Sequence, residues 1–374
     1  MHPTSQPRLV ALDFGRDIAR LTQDFTGRDW LFDAIEQWLY HGEQRFFILT
    51  GEPGVGKNAF IARLTQGAEH ADCRQSGAGL ETVSGLQTVC AYHFCIDGRN
   101  STVVPGTVFR SLAAQLVDSL PGYGLALVNT IRPEYLSVEV KIDVQQMTGG
   151  EIKGVVIDNL YAPNPRQVLD ILLRAPLAEM DAPTDVCCPP VSCLVLIGAL
   201  DVAVNYGGDA NLVRLLAELD DLPPWVRFLC TSQPDRRVLR HFPPEAVRAL
   251  DARSDENLAD VRRYVELRVQ QADLCRRLQA AEVEPQALVE RLVALSTGNF
   301  LYTRVVLNDI CAGQQSLDDL QALPPGLDSV YHAFLRRFTP GEWEGRYQPM
   351  FGVLAVAQEP ITEAQWTDFT GLTR

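Results

Sequence analysis

Seven residues constrain this chain more than any others: Gly51-Glu-Pro-Gly-Val-Gly-Lys57, set directly after the apolar run Arg45-Phe-Phe-Ile-Leu-Thr50 and just before the amphipathic segment Ala59–Leu64. Strand, glycine loop and helix in that order form a cradle for phosphate. Successive backbone N–H groups curl around the anion, glycines let the backbone approach closely, and the helix presents its positive end. A lysine at the last position adds a point charge directed at the β- and γ-phosphates. The candidate contact set is therefore Gly51, Glu52, Pro53, Gly54, Val55, Gly56, Lys57, Asn58 and Ala59. Composition sharpens the case, because only Lys57, Lys141 and Lys153 are lysines, against 30 arginines (33 basic residues less three).

The rest of the chain fits an α/β plan. Thr88–Cys95, Cys193–Gly198 and Trp225–Ser232 read as further buried strands. Helical spacing appears before the loop (Leu31, Ile35 and Leu39, with Asp29 placed to cap), at Val108, Leu112, Leu116 and Leu120, and from Asn211 to Leu219. Strands alternating with helices imply a parallel sheet with helices on both faces. One insertion departs from this plan. Val138 to Val144 alternates, Gly149-Gly150 turns, and Ile152 to Ile157 returns, which predicts a β-hairpin over about 137–158. After Leu250 the strands stop, and helices are expected at Asp260–Val269, Gln286–Ser296 and Phe300–Ile310. Leu323-Pro-Pro-Gly326 reads as a linker, followed by helices at Ser329–Phe338 and Met350–Ala357 and a third beginning after Pro360-Ile-Thr362.

Phosphate chemistry on such a loop usually needs a metal and an acidic strand end. The residue after Lys57 is Asn58, where a hydroxyl is usual; its amide oxygen can meet a hard cation, but on a longer arm. Two acids compete for the strand end. Asp158 closes Val155-Val-Ile-Asp158 on the hairpin's return arm, whereas Asp201 follows the buried run Leu194-Val-Leu-Ile-Gly198 and is favoured. The candidate metal ligands for Mg2+ are thus Asn58 and Asp201, and the candidate catalytic pair is Lys57 and Asp201.

Several function classes are set aside. A net charge of −14 repels phosphate backbones and anionic lipid, so no nucleic-acid or membrane partner is expected. The nine cysteines are odd in number and scattered, without metal-site spacing; six histidines show no ligand or triad pattern, and His93 reads as core. No basic-then-apolar leader opens the chain, and Val191–Val204 is too short to span a bilayer, so a cytoplasmic location is expected.

Phe25-Thr-Gly-Arg-Asp29, the glycine loop, Ala199-Leu-Asp201, Leu222-Pro-Pro-Trp225-Val-Arg-Phe228 and Thr231-Ser232-Gln233-Pro234 together resemble the STAND class of P-loop NTPases, most of all bacterial NACHT-type ATPase modules. The resemblance implies a P-loop NTPase parallel sheet flanked by helices (25–250, after a lead-in over 1–24), an all-α lid (251–322) and the start of a winged-helix domain (323–374). It implies that Arg28 and its neighbours approach the nucleotide base from the lead-in, and that Asn299 and Phe300, in Gly298-Asn-Phe300-Leu301, belong to the segment closing over adenine. The ligand it implies is ATP or ADP with Mg2+. Its action is a switch that self-associates or engages sensor and effector partners on nucleotide exchange. The family pattern usually has an acid at Gly198, a second at Val202 and an arginine at Gln233; their replacement, with Asn58, implies weak or absent hydrolysis. An active Mg2+-dependent ATPase and a pseudo-ATPase scaffold are the alternatives.

Overall fold

Residues 9–69, 89–131, 146–148, 151–153, 164–182, 193–206, 210–317, 320–335, 339–357 and 361–371 are described by a computed structural model. The chain divides into two units, Met1–Asp251 and Ala252–Arg374.

In the first unit, three predominantly apolar runs become the centre of a sheet: β1 (Phe46–Thr50), β5 (Cys193–Gly198) and β6 (Val226–Ser232), every residue of which is buried. Burial on both faces is what a parallel sheet demands of its strands. The order is β2-β5-β6-β1-β7, with β2 at Val89–Phe94 and β7 at Val247–Ala249, and all pairings are parallel. Alternate residues sort to opposite faces. Phe46, Ile48, Val195, Ile197, Phe228 and Cys230 share one core with Leu112 and Leu116 of α4 (Pro105–Ser119). The intervening Leu49, Leu194, Leu196 and Leu229 are equally buried and project the other way.

Helices α1 (Gly15–Thr22), α2 (Asp29–His41) and α3 (Lys57–Glu69) flank the loop, and α1 packs on α3. Downstream lie α5 (Tyr123–Thr130), then α6 (Pro165–Leu169), which runs through a π-helical turn into α7 (Ala175–Ala178), and the short α8 (Leu200–Ala203), α9 (Leu212–Ala217) and α10 (Arg236–Leu239). Helix α1, α5 and β7 are not anticipated by sequence pattern. The hairpin is present as β3 (Gln146–Thr148) paired antiparallel with β4 (Glu151–Lys153), Met147 opposite Ile152. The expected outer arms, Val138–Val144 and 154–157, and the rival acid Asp158 lie outside the described residues.

One capping expectation is corrected. Asp29 is the first residue of α2, and Arg28 occupies the N-cap position in the left-handed region, φ 73°. Gly27 shares that conformation, also at φ 73°, so the chain enters α2 through two consecutive left-handed residues. Only the first of them is a glycine, and the second carries backbone strain.

The second unit is helical: α11 (Asp255–Val269), α12 (Ala272–Ala280), α13 (Pro285–Ser296) and α14 (Phe300–Ala312) close around Val261, Val265, Leu274, Leu288, Leu292 and Leu307. Val330 of α15 (Gly326–Leu335) joins that core. Farther along, α16 (Pro340–Glu342) continues through a π-helical turn into α17 (Gln348–Val356), and α18 (Glu363–Thr370) follows. The α13–α14 corner turns at Thr297 and Gly298, at φ 47° and 82°. A β-carbon on Gly298 would lie 1.7 Å from the Ala252 carbonyl oxygen, so the corner admits glycine alone.

Candidate functional site

The loop leaves β1 at Gly51, where a β-carbon would stand 2.9 Å from the Leu250 carbonyl oxygen, beside the end of β7. Gly54 and Gly56 take φ values of 85° and 98°, which lets the loop fold back on itself before α3 begins. By helix geometry the first-turn N–H groups of α3, which begins directly after the loop, have no intrahelical acceptor. Val55 is fully buried and anchors the loop from beneath.

Lys57 is buried to 9% exposure, and its ammonium donates to the carbonyl oxygens of Gly51 (2.5 Å) and Glu52 (3.0 Å). Burial lowers its pKa, while the charges of Asp201 and Glu52 raise it. The cation and Asp201 therefore share one electrostatic neighbourhood. Arg28 is also drawn in. At 2% exposure it is a core residue, not a surface one; its guanidinium donates to the Val55 carbonyl at 2.5 Å and lies 5.7 Å from the Trp30 ring. A β-carbon on Gly56 would come within 3.5 Å of that guanidinium. Two cationic side chains thus hold the same seven-residue loop from opposite ends of its sequence.

Strand β6 lies between β1 and β5, so its C-terminal end separates the loop from Asp201. Thr231 bridges the gap. Its hydroxyl oxygen accepts the Ala199 N–H (2.9 Å), and its proton goes to Asn58 Oδ1 (3.0 Å). Ala199 is left-handed, φ 59°, where the chain turns from β5 into α8. Asp201 sits in the first turn of α8, and its Oδ1 accepts the Gln233 N–H at 2.9 Å. The strand end itself has no acid. At Gly198 a β-carbon would meet the Phe94 ring at 2.8 Å, and that ring packs 5.5 Å from Phe14.

Thr231 and Phe94 are the residues that sequence reasoning misses. Thr231 stands in a recognised strand-end motif, but nothing local shows that it faces Asn58; Phe94 reads simply as the end of an apolar strand. His93, read as core, is fully buried: one ring nitrogen pairs with the Thr102 carbonyl at 2.7 Å, and burial lowers its pKa to about 4. Asn299 and Phe300 belong to the second unit. Asn299 caps α14 by accepting the Tyr302 N–H, and the Phe300 ring lies 5.8 Å from that of Tyr264. Among the described residues no helix is long and apolar enough to cross a membrane.

A structure of a RuvB mutant from Thermotoga maritima is similar over 93% of this chain and 83% of that chain, at 11% identity and a TM-score of 0.32. A likeness that distant carries no argument. Residues 26–147, about a third of the chain, match the family model described as Nephrocystin 3, N-terminal. That stretch opens beside Arg28 and takes in the glycine loop, α3 and β2. It lies in the unit built on the five-stranded parallel sheet, so over these residues the chain is similar to the N-terminal region of nephrocystin 3, on an α/β fold of parallel strands with flanking helices.

Proposed function

We propose that the chain is a P-loop NTPase with a NACHT-like nucleotide-binding module, which binds ATP or ADP on the Gly51–Ala59 loop and acts as a switch through nucleotide-dependent self-association or a protein partner, with little or no hydrolysis. The observation that carries this reading is the buried Lys57 at the foot of the loop, coupled to Asp201 and Glu52 and joined by Arg28 at Val55. Backbone N–H groups and Lys57 would hold the phosphates. Weak turnover is supported by what stands around them. Gly198 offers no carboxylate, Val202 no base, and Gln233 no cation, while the backbone N–H of Gln233 is spent on Asp201. Each such electrostatic contact is worth about 2–4 kcal/mol of barrier, so the loss of several leaves a binder.

The test is to denature the purified chain, identify any released nucleotide, and assay ATP hydrolysis and particle mass with ADP and with ATP. Retained nucleotide, no turnover and an ATP-dependent mass change are expected. Turnover of about 1 per second or more that vanishes in Lys57→Ala overturns the reading in favour of a working ATPase.

A further inference from the structure

P-loop NTPases generally bind nucleotide together with Mg2+, and the residues that would hold that ion here do not fit it. Mg2+ demands near-octahedral oxygen ligands at about 2.0–2.1 Å. Asn58, which follows the lysine, has its side-chain oxygen engaged by the Thr231 hydroxyl at 3.0 Å. Thr231 is fully buried and already accepts the Ala199 N–H, so turning the Asn58 oxygen toward a cation would strand a buried hydroxyl proton. At the strand end, Gly198 has no side-chain oxygen to offer, and the Phe94 ring lies where a side chain would begin. Asp201 remains, with Oδ1 committed to the Gln233 N–H. Among the described residues no group of three or more His, Cys, Asp or Glu side chains is placed to hold a metal.

Positive charge comes instead from the chain itself. Lys57 lies inside the loop, Arg28 is bonded to its far side, and the first turn of the 13-residue α3 supplies N–H groups. We propose that this site binds a nucleoside di- or triphosphate without a divalent cation, the Asn58–Thr231–Ala199 hydrogen-bond chain having replaced the metal as the tie between the loop and the strand ends. The inference rests on the nucleotide-binding reading above. It goes beyond it by naming the form in which the nucleotide is bound.

The experiment is isothermal titration of the full chain, stripped of nucleotide, with ADP and with ATP, in excess EDTA and separately in MgCl2, alongside Lys57→Ala. Dissociation constants that agree within about threefold between the two buffers, and binding lost in Lys57→Ala in both, support the proposal. Affinity that falls about tenfold or more in EDTA overturns it while leaving the nucleotide-binding reading intact. Absence of heat in both buffers overturns the nucleotide-binding reading and the inference with it. Undiminished binding by Lys57→Ala places the nucleotide elsewhere and overturns the assignment to this loop.

Discussion

Replacing Gly198 with alanine tests whether the Phe94 ring has claimed the strand-end position. Gly198 is a strand residue with no need of a left-handed backbone, so the substitution by itself gains about 0.4–1 kcal/mol from a less mobile unfolded chain. Against that stands the new β-carbon, 2.8 Å from one ring carbon of Phe94 and 3.3 Å from the next. Ordinary carbon contacts lie at about 3.5–4.0 Å, so the ring must retreat by roughly 0.7 Å or more. It has little room, because Phe14 and Tyr92 lie at 5.5 and 6.4 Å between ring centres. Overpacking of this kind costs about 1–3 kcal/mol, so Gly198→Ala is net destabilising by up to about 2.6 kcal/mol. Phe94→Ala alone costs about 3–5 kcal/mol through the cavity it leaves. In the double variant the methyl introduced on the strand end enters that cavity, so the combined loss should fall short of the sum by about 1–3 kcal/mol. Urea unfolding of the first unit, followed through Trp30, Trp38 and Trp225, supplies the four stabilities of the cycle. Additivity within about 0.5 kcal/mol would show that the ring does not hold the space and would remove one leg of the case against a metal.

Gly298→Ala should cost the second unit more than about 3 kcal/mol, since the methyl would fall 1.7 Å from the Ala252 oxygen at a residue with φ 82°; loss of that unit's helical circular dichroism or rapid proteolysis checks it. Asn299→Ala, by removing the cap on the Tyr302 N–H, should destabilise α14 by about 1 kcal/mol, read by hydrogen exchange in its first turn. Arg28→Lys should weaken nucleotide binding even though it keeps the charge, because an ammonium does not reproduce a guanidinium bonded to Val55 and set against Trp30; unchanged affinity by titration would separate Arg28 from the site. His93 has its folded pKa lowered to about 4, so the unfolded chain binds the extra proton first as pH falls. Its contribution is fully present above about pH 6.5 and is lost down to about pH 4, by about 3 kcal/mol at most. His93→Gln should flatten that stretch of the stability–pH curve.

The loop is legible because everything that makes it is local: an unbroken apolar strand, three glycines and a lysine at fixed spacing. Central strands are legible for a related reason, since burial on both faces leaves Cys193–Gly198 and Val226–Ser232 almost wholly apolar, with Arg227, Thr231 and Ser232 the exceptions. Strand β7 is not legible: it is three residues long, largely exposed, and defined by its bonds to β1. Helices α1 and α12 are short and polar, and their apolar stripes are too narrow to stand out. Asp29 misleads because aspartate is a good cap, whereas the Gly27–Arg28 entry turns the cap residue inward to the loop. The Gly198–Phe94 contact and the Thr231 bridge depend on strand register, which sequence pattern does not reveal.

Biosynthesis gives the order β2-β5-β6-β1-β7 a temporal meaning. Asn58 and its partner Thr231 are 173 residues apart, and β1 pairs on one side with β6 and on the other with β7, both made long after it. At about 5–20 residues per second, the glycine loop leaves the ribosome roughly 9–35 s before the strand that braces it. For that interval β1 exists as an apolar ribbon with both edges open. Nascent chains stalled before Val226 would therefore carry the whole glycine loop without the strand that braces it, and would be natural clients for chaperones.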